Sequence, residues 1–325
     1  MNHPTPPLCG RSRAARAFPL LLALCLAMAL TLVNMKLQAR PMLQQRLALQ
    51  QQVLHNQADN YYQYDLYFLE HLASGLQGLG LPPLAVVVAL FGLGYGLAML
   101  ASWYWLSQLF KAPGAIVLGL LATAIYAFIM VPLSYDHPAD MFALAAFALS
   151  LGLVARGQLP WLLVVSLAAG LFSSKQLLIA APVALALGRR LGWPRGLASA
   201  GAAAALALAV PLLYLLRLGP HAVTPLGLLP PALWLRDLPE SLVVHLVMAA
   251  APLASVLIFR PRAPQVVWGA WLAYLGLLLI CAVQFNIIHE ARTFWIAIPA
   301  FAASLAFWGE HTAETEPSDA SGCCP

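Results

Sequence analysis

Residues 160–188 read PWLLVVSLAAGLFSSKQLLIAAPVALALG. Two apolar stretches flank a polar turn, Ser173-Ser174-Lys175-Gln176, and the number of times this segment crosses a membrane fixes the topology of everything after it. That a membrane is involved follows from composition. The 325-residue chain is 62% hydrophobic and 9% charged, with a mean hydropathy of +0.80, and apolar runs of spanning length recur almost to its end. Outside 160–188 the expected spans are residues 18–35, 82–106, 114–133, 139–155, 197–216, 241–259, 264–285 and 293–308. With the N-terminus inside, the cytoplasmic gaps receive Lys111, Arg156, Arg189, Arg190, Arg195, Arg260 and Arg262. This distribution holds if 160–188 crosses twice; a single crossing exports five of those arginines. Two crossings bring the expected total to ten. Lys36, Arg40 and Arg46 remain on the outer side, against the trend.

Each half of 160–188 is about 13 residues, or ~20 Å at 1.5 Å per residue, against a hydrocarbon core of ~30 Å. The Ser-Ser-Lys-Gln turn is therefore expected below the outer headgroups. Irregular polar backbone at that depth needs surrounding protein or a wet cavity. Lys175 then either lines such a cavity or snorkels to the outer interface.

The same threading sorts the acids. Asp59, Asp65, Glu70, Asp136, Asp140, Asp237, Glu240 and Glu290 all fall in gaps on the outer side. The first run follows Arg11, Arg13 and Arg16, and Lys36 stands where a small-residue cleavage site would be, so it reads as an uncleaved signal anchor. The five cysteines include no pair in the outer loops that could staple a domain. Basic residues are spread through short turns and form no continuous patch, which argues against nucleic-acid binding despite a pI near 9.1.

The chain is thus expected to be all-α, a single polytopic helical bundle over 1–308 with a disordered cytoplasmic tail over 309–325. Both termini are placed in the cytoplasm. Two long outer loops interrupt the bundle, 36–81 and 217–241. In the first, Met42, Leu43, Leu47, Leu49, Val53 and Leu54 share one side of a helix suited to lying on the membrane surface. A second helix follows, with an apolar stripe of Tyr61, Phe68, Leu69, Leu72, Leu76 and Leu79. Asp65 sits on that stripe, where a carboxylate must be paired, protonated or wet, whereas Glu70 points the other way. The second loop contains Pro220, Pro225, Pro230, Pro231 and Pro239, a density that argues against a continuous helix and for a re-entrant or interfacial segment with Trp234 at headgroup level.

Several of these features occur in a familiar order. Asp59 and its neighbouring aromatics in the first loop, Tyr135-Asp136-His137-Pro138-Ala139-Asp140 opening a span, the Ser-Ser-Lys-Gln turn, and His289-Glu290-Ala291-Arg292 before the last span together resemble the bacterial GT-C membrane glycosyltransferase superfamily. The resemblance runs through most of the chain. It implies a transferase in the bacterial inner membrane that takes a sugar from a polyprenyl-phosphate-linked donor to an envelope acceptor at the extracytoplasmic face. It also implies that an acid of the first outer loop serves as general base, which matches Asp59 first and Asp65 next. Asp136, Asp140, Lys175, Glu290 and Arg292 are then expected to bind substrate, with Lys175 and Arg292 holding the lipid-phosphate leaving group. Whether a divalent metal shares that task the sequence leaves open, although His137 stands between two aspartates.

Each residue also has a plainer role. Asp59 caps the helix starting near Tyr61, Asp140 favours the positive end of a helix dipole, and Glu290 with Arg292 locks helices together. The turn at 173–176 carries lysine and glutamine where many relatives carry an acid and an arginine, and the first loop has no Asp-x-Asp. Two other classes compete with a transferase. A transporter or lipid flippase predicts broken helices in two corresponding places, of which the sequence offers one. A noncatalytic membrane assembly protein needs no acid and cation site at all.

Overall fold

The computed structural model describes residues 13–39, 41, 43–55, 63–130, 138–218, 231–280 and 294–315. Among these residues no strand occurs. The helices are α1 (Arg13–Asn34), continued by a π-helical turn (Met35–Ala39), α2 (Leu43–Leu54), α3 (Gln63–Gly78), α4 (Pro83–Leu109), α5 (Pro113–Met130) and α6 (Pro138–Arg156). There follow α7 (Leu159–Ala169), a 3-10 helix (Ser174–Ile179), α8 (Ala180–Leu191), α9 (Trp193–Leu218), α10 (Pro231–Ile258), α11 (Gln265–Ile280) and α12 (Ala297–Thr315). Proline is the first residue of α4, α5, α6 and α10 and the second of α7. There its missing N–H costs nothing and its fixed φ starts the turn.

Four segments are long and apolar enough to cross a membrane: Ala17–Leu37, Pro83–Leu109, Pro138–Arg156 and Trp193–Tyr214. Shorter apolar helices accompany them at Pro113–Ile129, Leu159–Ala169, Val243–Ile258 and Gln265–Leu279. The exterior is apolar too: Leu21, Met28, Leu32, Leu212, Leu213, Leu246 and Val247 are all more than half exposed. Such a surface suits lipid, not water.

α12 is the central helix. Phe294 through Ala303 are all buried, and the Pro299 carbonyl among them accepts a hydrogen bond from Trp105 Nε1 (3.2 Å). α4, α5, α10 and α11 pack around it. Ser304 ties it to two neighbours, its Oγ accepting from Trp271 Nε1 (3.0 Å) and its carbonyl from Ser255 Oγ (2.5 Å).

Contacts define two poles. At one, Glu310 of α12 accepts from the backbone N–H groups of Lys111 and Ala112 at the head of α5, and Arg190 donates to the Ala155 carbonyl at the foot of α6. Arg189 and Arg260 also line a common cleft there. At the other pole α2 and α3 pack on each other, and α3 lies against α4, α6 and α9. α4 and α6 run in parallel from this second pole toward the first: Gly94 meets Met141 at one level and Gly152 meets Tyr104 further along.

The stretch opened above is divided as its sequence predicts. α7 leaves the basic pole beside Gly157, the chain turns at 170–173, and α8 returns so that Arg190 reaches α6 again. Two departures occur elsewhere. The proline-rich segment is helical from Pro231 onward and continues past Pro239, so α10 starts ten residues earlier than expected; residues 219–230 lie outside the described residues. Likewise α12 extends through Thr315, because Glu310 is held as the cap of α5, and the expected disordered tail begins no earlier than 316.

Helix crossings depend on missing side chains. A Cβ at Gly269 of α11 would stand 2.2 Å from Pro182 Cα of α8, whereas one at Gly276 of the same helix would meet nothing within 4 Å. Small residues let membrane helices approach this closely. Gly269→Ala is expected to cost about 1–3 kcal/mol through overpacking. Gly276→Ala is expected to be neutral or slightly stabilising. Thermal unfolding of both variants in detergent checks the contrast.

Candidate functional site

The acidic pole collects the candidate chemistry. Gly170 ends α7 where α9 crosses, since an added Cβ would lie 2.5 Å from the Ala207 carbonyl oxygen. The chain then extends at Ser173 (φ −166°, ψ 134°), whose hydroxyl accepts from the Lys175 N–H (3.3 Å) and caps the 3-10 helix. Gln176 is 1% exposed and donates from Nε2 to the Ala143 carbonyl of α6 (2.6 Å). Ala143 lies five residues into α6, about 7 Å along its axis. The turn is therefore enclosed by protein below the end of α6, as irregular polar backbone at depth requires.

Phe172 is the aromatic hub of this turn. It stacks on Phe142 of α6 (centroids 5.0 Å, 20° between planes) and meets Phe68 of α3 edge-on (5.8 Å, 80°). Through it the loop helices join the bundle: Val53, Leu69, Ala73, Val86, Leu90, Ala139 and Phe142 form a second buried cluster with Phe172 against it. Tyr67 adds a ring contact to Tyr214 of α9 (4.8 Å).

Of the residues expected in the site, Asp140 stands in the first turn of α6 and is half-buried. Lys175 is half-buried in the 3-10 helix, and among the described residues no carboxylate pairs with it. The Gln176 bond to Ala143 brings their two elements together. Asp65 belongs to the first turn of α3, with its side chain outside the described residues. Asp59, Asp136, Glu290 and Arg292 lie outside the described residues altogether, as does His137. Among the described residues no group of three or more His, Cys, Asp or Glu is placed to hold a metal.

One expectation about the first loop is overturned. Glu70 does not point away from the core; it is 1% exposed and forms an ion pair with Arg46 of α2. On α2 the most buried positions are Gln50 and Val53, with Arg46 beside them, while Leu43, Leu47, Leu49 and Leu54 of its apolar stripe are half-buried. Leu72 and Leu79 of the apolar stripe of α3 are 40% and 81% exposed. Gln50 Nε2 donates to the Glu70 carbonyl (3.4 Å) and Gln77 Nε2 to Gln50 Oε1 (3.3 Å). A polar seam with complementary charges thus joins the two helices. Arg46, Gln50 and Val53 at i, i+4, i+7 face Glu70, Ala73 and Gln77 at i, i+3, i+7, a match between two helices that the periodicity of neither one reveals. Burial pushes the Glu70 carboxyl above its ordinary range, and the Arg46 guanidinium draws it back in part.

Chemically, the pole offers an ammonium that pairs with no carboxylate among the described residues, a half-buried aspartate on the adjoining helix, and an ion pair that fixes the cover. A lysine so placed acts as a point charge for an anionic group. No family model matches the chain, and neither a curated protein nor a solved structure is similar to it.

Proposed function

We propose that the chain is a GT-C-type membrane transferase that moves a sugar from a polyprenyl-phosphate-linked donor to an envelope acceptor at the extracytoplasmic face of a bacterial inner membrane. In this reading α1 and α4 through α12 cross once each, the pole that carries α2 and α3 faces outward and both termini are cytoplasmic. The observation that carries it is Lys175: a half-buried ammonium in a protein-enclosed turn, with no paired carboxylate among the described residues, beside the helix that begins with Asp140. A cation held out of bulk water without a partner is costly unless its counter-charge arrives with a ligand. A lipid phosphate leaving group supplies that charge. Asp59, with Asp65 next, takes the role of general base on the acceptor hydroxyl, while Asp136, Asp140, Glu290 and Arg292 orient donor and acceptor. In the transfer, the acceptor oxygen bonds to the anomeric carbon as the bond to the lipid phosphate breaks, and the acceptor proton passes to the carboxylate.

The test is a mass-spectrometric inventory of envelope glycans and lipid-linked sugars in a deletion strain, rescued with wild type or Asp59→Asn at matched membrane levels. The expected result is an acceptor lacking one sugar and an accumulated lipid-linked donor, both restored by wild type alone. Full rescue by Asp59→Asn removes that residue from the mechanism and passes its role to Asp65. Unchanged glycans in the deletion strain, under conditions where the gene is expressed, overturn the transferase reading.

A further inference from the structure

At the basic pole, Arg189, Leu257, Arg260, Gln265 and Trp268 line a cleft of about 480 Å³, within the usual range for small-ligand sites. Among the described residues no acid lines it, and neither guanidinium has an ion pair or hydrogen bond. The neighbouring arginines are otherwise engaged. Arg190 donates to the Ala155 carbonyl, and Arg262 lines a separate cleft with Glu310. Arg189 and Arg260 thus bring two charges to one recess, and among the described residues no carboxylate pairs with either.

What adjoins the recess is apolar. On α10, Leu253 and Leu257 stand at i, i+4, and Arg260 follows in the turn after the helix; on α11 Gln265, Trp268 and Leu272 stand at i, i+3, i+7. Each helix therefore carries exposed leucine toward a polar or cationic end at the cleft; Leu253, Leu257 and Leu272 are 40%, 53% and 50% exposed. Both helices are pinned to α12, through Ser255 and Trp271 at Ser304. Trp268, half-buried at the cleft, sits where the apolar faces meet the charged end.

We propose that this cleft binds the phosphate headgroup of an anionic phospholipid, with Arg189 and Arg260 on the phosphate oxygens and the acyl chains lying along the Leu253–Leu257 and Leu272 faces. Arginine suits the task because its planar fork meets phosphate oxygens two at a time. A basic recess between spanning helices, opening onto lipid-facing leucines, selects an amphiphile over a soluble anion. The site lies at the opposite pole from Lys175 and stands whether or not the chain transfers sugars.

The test uses the full chain in detergent, titrated with dioleoylphosphatidylglycerol, dioleoylphosphatidylcholine or glycerol 3-phosphate, and reads bound ligand by native mass spectrometry with thermal stability in parallel. Wild type is expected to retain the phosphatidylglycerol in preference to the phosphatidylcholine, and to be stabilised by it. Arg189→Gln/Arg260→Gln is expected to weaken that binding by about 10- to 30-fold, given the attraction each cation contributes near an anionic surface. Arg156→Gln/Arg195→Gln, which removes two charges from the same pole, should change it by less than about threefold, because neither side chain lines the cleft and exposed charges are screened by salt. Equal retention of the two lipids by wild type, or unchanged binding by the cleft variant, overturns the proposal. Binding of glycerol 3-phosphate as tight as that of the lipid also overturns it, by making the cleft a soluble-anion site.

Discussion

Lys175→Met is expected to lower the proposed sugar transfer by about 10²–10³-fold while leaving the protein folded, the loss typical of removing one preorganised donor to a developing negative charge. Methionine keeps much of the length and apolar stem of lysine and removes the ammonium alone. The fold has little to lose, since the anchors of this turn are others: the Ser173 hydroxyl caps it, Gln176 ties it to α6 and Phe172 packs it against Phe142. Because the phosphate acquires charge as the sugar departs, the loss should fall mainly on kcat, with donor KM changed less. Lys175→Arg keeps the charge and should restore part of the rate. The check is single-turnover transfer in reconstituted vesicles, with thermal stability measured beside it. A Lys175 that merely snorkels to the interface predicts wild-type rates for both variants.

Glu70→Ala is expected to destabilise the α2–α3 cover by about 3–5 kcal/mol, the cost of leaving a buried partner charge uncompensated. Arg46→Ala should cost a similar amount. The double variant should be less harmful than the sum of the two, because each single change strands the other charge. The geometry makes the pair decisive: besides Val53, α2 buries mainly Gln50, which bonds to the carbonyl of Glu70 itself. Acidity should act through the same residue. Burial raises the folded-state pKa of Glu70 above the ordinary 4.5 of a glutamate, so between those two values the packed form binds more protons than the released one. Stability of the cover must then increase as pH falls through that window and decline as pH rises through it. Glu70→Gln should flatten this dependence. Hydrogen exchange of the α2 amides across the acidic range measures both the loss and its slope.

The two predictions rest on features with different legibility. Lys175 and its turn could be picked out directly, because a Ser-Ser-Lys-Gln interruption of a 29-residue apolar stretch is a local contrast in hydropathy. Glu70 could not. Its spacing placed it opposite the leucines of α3, and the rule that charge faces outward then assigned it to solvent. The missing information was that Arg46, 24 residues earlier, would be held against it with Gln50 completing the seam. The same limitation applied at α10. Pro231 and Pro239 argue locally against helix, yet the first occupies the position where proline starts one and the helix continues past the second.

The sequence by itself determined where helices form, where the stretch at 160–188 breaks, and how charge divides between the ends of the chain's apolar runs. These depend on the transfer of individual residues between water and an apolar medium, a property each residue carries with it. Only the tertiary structure decided which polar groups are buried and with whom. It put Glu70 inside with Arg46, made Phe172 the joint between loop helices and bundle, and brought Arg189 and Arg260 to one cleft. The cost of burying a charge or an amide is set by the partner that meets it, and that partner is chosen by packing between segments distant in the chain.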